Sequence, residues 1–152
     1  MQHDDAAIIL ANADFFEICN DEERRMLAFA SERKRYASGS VIAKSGDVPD
    51  GPLILISGTV SVTPDGDGEP NPYVVSQPGT LIGSAALVIA KPRPMTITAV
   101  TIVEILFVPR RAFLKLANQS PELAKRAASR IRADLSSYLE ALGPIRTLMG
   151  DE

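Results

Sequence analysis

The spacing of hydrophobic positions changes twice along the 152-residue chain. From residue 4 to 32 apolar side chains recur at helical intervals. Ala6, Ile9, Leu10 and Ala13 share a face, a break is expected at Asn12–Asp14, and Phe15, Phe16 and Ile18 follow as core plugs. Asn20 stands three residues before Glu23, the pattern of a capping box, and predicts a helix through Met26, Leu27 and Ala30. From 33 to 109 the apolar residues fall into short β-rich runs. These are Tyr36, Val41-Ile42, Leu53-Ile54-Leu55-Ile56, Thr59 to Val62, Tyr73-Val74-Val75, Thr96 to Val100 and Val103 to Val108. Turn formers separate them, among them Ser38-Gly39, Ser45-Gly46-Asp47, Asp50-Gly51-Pro52, Ser57-Gly58 and Pro78-Gly79. Strands this short, with turns this frequent and no room for crossover helices, predict an antiparallel roll or jelly roll. From 110 to 142 the helical period returns. A short helix over Ala112–Asn118 ends at Gln119-Ser120-Pro121, and a longer one starts with Ser120 as cap and Pro121 in the first position. Leu123, Ala127, Ile131, Leu135, Tyr138 and Leu142 make one apolar stripe along it, and Gly143-Pro144 ends it before a tail at 143–152.

Composition narrows the chemistry. Sixteen Lys and Arg against nineteen Asp and Glu give a net charge of −3, which argues against a domain built to grip nucleic-acid phosphates. Cys19 is the single cysteine and His3 the single histidine, so a disulfide framework and a multi-Cys zinc site are excluded, and a His cage, a Cys-His dyad or a Ser-His-Asp triad would have to recruit His3, near an end of the chain. The expectation is a protein without enzymatic activity and without a bound metal. The longest near-apolar run, Leu81 to Ala90, is too short to span a bilayer, and the N-terminus lacks the positive flank of a signal peptide. A cytoplasmic protein without a membrane partner is expected.

Three candidate constellations fail on spacing. Asp65-Gly66-Asp67-Gly68-Glu69 looks like a calcium loop, but its twelfth position is Ser76 rather than a bidentate acid, so it reads as a polar hairpin tip. A cupin-type metal site needs histidines in the strand zone, which has none. Lys125, Arg126, Arg130 and Arg132 are interleaved with acids and lack a second helix across a tight turn, so they read as a solvated helix face rather than a DNA-binding one.

One segment remains. Between Leu81 and Thr96 a strand end passes through Gly83 into a single helical turn, and a loop then carries Arg93 into the next strand. Amides at the start of a helical turn have no internal partners. Arg93 adds a planar, permanently charged fork, and together the two suit an anion. Gly83-Ser84-Ala85-Ala86-Leu87, a five-residue spacer and Arg93-Pro94-Met95-Thr96 resemble the phosphate-binding cassette of the cyclic nucleotide-binding domain family, that of the catabolite activator protein and the regulatory subunits of cAMP-dependent protein kinase. Gly39-Ser40-Val41-Ile42, Ser45-Gly46-Asp47, Ile54 to Val60, Gly79 and Val108-Pro109-Arg110 match the same family in register, over roughly residues 13–140.

The resemblance implies one domain spanning 1–152. N-terminal helices would occupy 4–32, an eight-stranded antiparallel β-roll 33–109 with the cassette at 82–96, and C-terminal helices 110–142. It also implies a stand-alone regulatory module that binds a cyclic nucleotide, cAMP or cGMP, or a related phosphate-bearing metabolite. Ile82, Gly83, Ser84, Ala85, Ala86, Arg93, Pro94 and Thr96 would form the site. Arg93 would pair with the phosphate, amides near Ala85 and Ala86 would cap it, and Ser84 would touch the sugar.

Two positions depart from the family pattern. Ser84 replaces the Glu that holds the ribose 2′-hydroxyl; a hydrogen bond to a charged partner contributes about 1.5–3 kcal/mol, so its loss weakens binding about 10- to 100-fold. Pro94 follows the Arg and has no N–H to give a phosphate. In the family the helix after the roll shifts when the pocket fills, and the stripe on 120–142 could pack on the roll or on a second copy as a homodimer. The alternative is a ligand-free fold acting as a dimerisation or docking module through that stripe and the Ile145–Met149 tail.

Overall fold

A computed structural model of the chain describes residues 2–64 and 71–141, with side chains described from 5 to 133. The polar stretch at 65–69, the outer half of the C-terminal stripe and the Ile145–Met149 tail lie outside the described residues.

The N-terminal segment forms α1 (Gln2–Ala11), a 3-10 helix (Asp14–Ile18) and α2 (Asp21–Ala30). The break falls where the pattern puts it, and the capping box is made in both directions. Glu23 N–H donates to Asn20 Oδ1 and Asn20 N–H donates to Glu23 Oε1, each at 2.8 Å. Eight strands follow: β1 (Glu32–Tyr36), β2 (Val41–Ala43), β3 (Leu53–Ser57), β4 (Val60–Pro64), β5 (Tyr73–Val75), β6 (Leu81–Ile82), β7 (Met95–Ala99) and β8 (Val103–Phe107). They pair antiparallel in two four-stranded sheets, ordered β1-β8-β3-β6 and β2-β7-β4-β5. The chain closes with α3 (Arg110–Gln119) and α4 (Pro121–Ala141). The fold is therefore the expected antiparallel roll flanked by helices at both ends, with one difference at the boundary. The strand zone opens at Glu32, inside the segment read as helical, because Glu32-Arg33-Lys34-Arg35 pair with β8 through their backbone while their side chains stay exposed.

Two cores explain why β3 and β8 are apolar almost without interruption. Alternate strand residues point to opposite faces. Leu53 and Leu55 of β3 and Val103, Ile105 and Phe107 of β8 face the other sheet, with Val60, Val62, Ile82 and Ile97. Ile54, Leu106 and Val108 face the helices, where they meet Leu10, Phe16, Leu27, Phe113 and Leu123. Both faces of that sheet are covered, so polar alternation is lost. In β4, whose outer face is not covered, Ser61 and Thr63 alternate with buried Val60 and Val62.

The helical layer is tied together by arginines read from sequence as part of a solvated face. Arg126 Nε donates to Ile18 O at 2.8 Å and Arg130 Nη1 to Asp14 O at 3.1 Å. The Arg130 guanidinium also lies 5.5 Å from the centre of the Phe15 ring. These two side chains satisfy carbonyls of the N-terminal 3-10 helix; Arg126 is exposed, as Lys125 and Arg132 are, and Arg130 is half-buried. Leu123, Ala127 and Ile131 bury the first half of the α4 stripe against that layer.

Candidate functional site

Gly83 ends β6 with φ +80°, a left-handed conformation that L-residues with a Cβ rarely adopt. It starts the 3-10 helix Ser84–Leu87, and Leu87 buries completely into the helix-side core, anchoring the turn. Ala86 N–H donates to Gly83 O at 2.9 Å. That bond closes the turn with the Ala86 amide. The amides of Ser84 and Ala85 precede the first bond of the turn, and the turn itself offers them no acceptor.

Arg110 fixes the far side of this segment. Its Nη1 donates to Pro49 O at 2.9 Å, Ala86 O at 3.1 Å and Ile89 O at 3.4 Å. The cassette turn, the loop before β3 and the start of α3 are thereby held by one cation. The loop itself passes so close to β8 that a Cβ on Gly51 would lie 2.0 Å from Val108 O.

These elements enclose a cavity of about 460 Å³, within the range of small-molecule sites. Its walls are largely apolar, with Leu53, Ile82, Ile89, Met95 and Ile97 among the lining side chains. Of the residues proposed from sequence, Ile82, Gly83, Ser84, Ala85, Ala86, Arg93 and Pro94 line it. Thr96 does not: its Oγ1 accepts the Ser45 N–H at 3.1 Å, tying β7 to the preceding turn.

Arg93 is held by its backbone. Its N–H donates to Asp47 O and its carbonyl accepts Gly46 N–H, each at 2.8 Å. The side chain is half-buried at the cavity wall, and none of the ion pairs among the described residues engages it. Burial pushes the guanidinium below its ordinary pKa, with the charges of Asp47 and Tyr36 pulling the other way. An arginine nonetheless stays protonated at physiological pH. A partly desolvated cation outside any close ion pair gains from an anion that joins it.

Lys91, exposed at the same cavity, was not singled out from the sequence. The available signal was its place two residues before Arg93, which in extended chain puts two side chains on one side. No lining residue among those described is acidic.

The region 33–120 matches the family described as the cyclic nucleotide-binding domain. The chain is 34% identical over 96 residues to a cyclic nucleotide-gated potassium channel of Mesorhizobium japonicum, covering 63% of this chain and 25% of the channel. It is 31% identical over 119 residues to the type II regulatory subunit of cAMP-dependent protein kinase from Drosophila melanogaster, covering 78% of this chain and 32% of the subunit. The chain thus spans a quarter to a third of the length of these curated relatives. Among solved structures, the regulatory domain of Toxoplasma gondii PKA, crystallised with cAMP, superposes with a TM-score of 0.68 at 22% identity, covering 84% of this chain and 50% of that one.

Proposed function

Because this chain belongs to the cyclic nucleotide-binding domain family, we propose that its cavity binds cAMP, cGMP or a related phosphate-bearing ligand, and that the domain reports occupancy rather than catalysing a reaction. One observation carries the reading: the half-buried Arg93 guanidinium stands at an apolar cavity whose described lining holds no acid, and none of the ion pairs among the described residues engages it.

In this account Arg93 pairs with the phosphate and the Ser84 and Ala85 amides add hydrogen bonds to it. Leu53, Ile82, Met95 and Ile97 cover the body of the ligand, and Ser84 Oγ is the one lining hydroxyl within the cassette. Filling the cavity acts on the cassette turn, which Arg110 links to α3. α3 and α4 are therefore the elements that pass the change on, to a second copy or to another domain. No helix among the described residues is long and apolar enough to cross a membrane, and a cytoplasmic setting is part of the proposal.

Titration calorimetry of the full chain with cAMP and cGMP tests it. Heat that disappears in Arg93→Ala, with the variant shown folded, is the expected result. No heat at millimolar ligand overturns the proposal.

A further inference from the structure

The charge inventory of the cavity points beyond the family's usual ligand. Its lining side chains include two cations, Lys91 and Arg93, and no acid. Ser84 is the lining hydroxyl of the cassette, and the one acid whose charge acts on Arg93, Asp47, is not among the lining residues. A cyclic phosphodiester carries one negative charge, and Arg93 alone balances it. A phosphomonoester carries about −1.5 to −2 at neutral pH and three acceptor oxygens.

The two cations sit on one short segment. Arg93 is fixed through its backbone to Gly46 and Asp47, and Pro92 and Pro94 restrict the chain on either side of it. Lys91, on the same segment, is exposed. An ammonium on a flexible stem can follow a phosphate's extra oxygen without a fixed geometry.

We infer that this cavity selects a nucleotide-type phosphomonoester dianion over a cyclic phosphodiester, with Lys91 as the residue that sets the preference. The inference rests on reading the cavity as a phosphate site. Arg93 supplies binding common to both ligand types, whereas Lys91 adds a contact that only the second charge rewards. Ser84 favours neither, because it offers a hydroxyl to either sugar.

The test is calorimetry of the full chain and of Lys91→Gln with 5′-AMP, cAMP and adenosine, at one low salt concentration. Lys91 is exposed, so the substitution leaves the fold intact, and matching thermal melts check this. The expected result is that AMP binds several-fold tighter than cAMP to the native chain. Lys91→Gln then weakens AMP about tenfold and cAMP less than about twofold. Equal or tighter binding of cAMP, or an equal loss of both ligands in Lys91→Gln, overturns this inference and leaves the phosphate site standing. Adenosine binding as tightly as either nucleotide, or no binding of any of the three, overturns the phosphate site itself.

Discussion

The Arg110 guanidinium donates to the Ala86 carbonyl at 3.1 Å, joining the first turn of α3 to the wall of the cavity. The same Nη1 also reaches Pro49 O, and the Arg110 backbone N–H bonds Asp50 O at 2.7 Å. Arg110 is thus a positioning residue: it does not line the cavity, yet it sets where the cassette turn lies. Arg110→Ala leaves three carbonyls, of Pro49, Ala86 and Ile89, without this donor and lowers stability by about 1.5–3 kcal/mol. Urea unfolding checks the loss. Faster amide exchange over 84–89 separates a loosened cassette from general destabilisation, and unchanged exchange there would count against this role.

Arg93→Ala acts in the opposite sense on fold and binding. It removes the charged partner of the phosphate, and affinity for cyclic nucleotide falls about 10- to 100-fold. The thermal midpoint stays within a few degrees of the native value, since no ion pair among the described residues is broken. Calorimetry paired with a melting curve reads both.

Ser84→Glu places a carboxylate at the first position of the cassette turn, where the family carries one. Cyclic nucleotide binding is expected to tighten by about 10- to 100-fold through the ribose hydroxyl. Binding of a phosphomonoester weakens, because the new acid opposes its second charge. Competition between AMP and cAMP in this variant measures the exchange.

Gly51→Ala is expected to be among the most damaging single changes. The added methyl meets the Val108 carbonyl at 2.0 Å, and backbone on both sides has to move. A loss of about 1–3 kcal/mol follows from overpacking of this kind, together with a displaced cavity wall. A thermal melt shows the first effect and ligand affinity the second.

Cys19 supplies the pH dependence. It is buried, and desolvation, with the charge of Glu23 adding to it, pushes its thiol from its ordinary 9.0 up to about 12. Between those values the unfolded chain has released the proton and the folded chain has kept it, so stability falls as pH rises. The slope reaches at most about 1.4 kcal/mol per pH unit. Below pH 9 the stabilisation is complete. Urea unfolding from pH 8 to 11 checks the trend in comparison with Cys19→Ala. A thiol reagent at pH 8 reacts at the rate of local opening rather than at that of a free cysteine.

Much of the architecture was legible because burial leaves a period in the sequence. The nearly unbroken apolar runs of β3 and β8 and the capping box of α2 were readable one by one. So was Gly83 before a short turn. What escaped notice is what carries no period. β1 is four charged residues and a tyrosine, held by backbone pairing that side-chain patterns do not record. Arg126 and Arg130 looked like solvent-facing charge because their acceptors are carbonyls more than a hundred residues away in sequence. The cassette was legible as a motif, but its second cation was not. Lys91 lies in the spacer two residues before Arg93, and only the fold shows that this stretch lines the cavity.

The charged composition of β1 also has a consequence for how copies of this protein meet. β1 is the last strand of its sheet, and β8 is its partner there. Its outer backbone edge could template the strand of a neighbour, the first step toward fibrous aggregation. Exposed Arg33, Lys34 and Arg35 stand on that strand, Arg33 paired with Asp5 and Glu104, and a second β1 laid with Lys34 and Arg35 against the same pair brings positive charge against positive charge. Like repels like at the seam where sheets would otherwise fuse, and each copy keeps its own border.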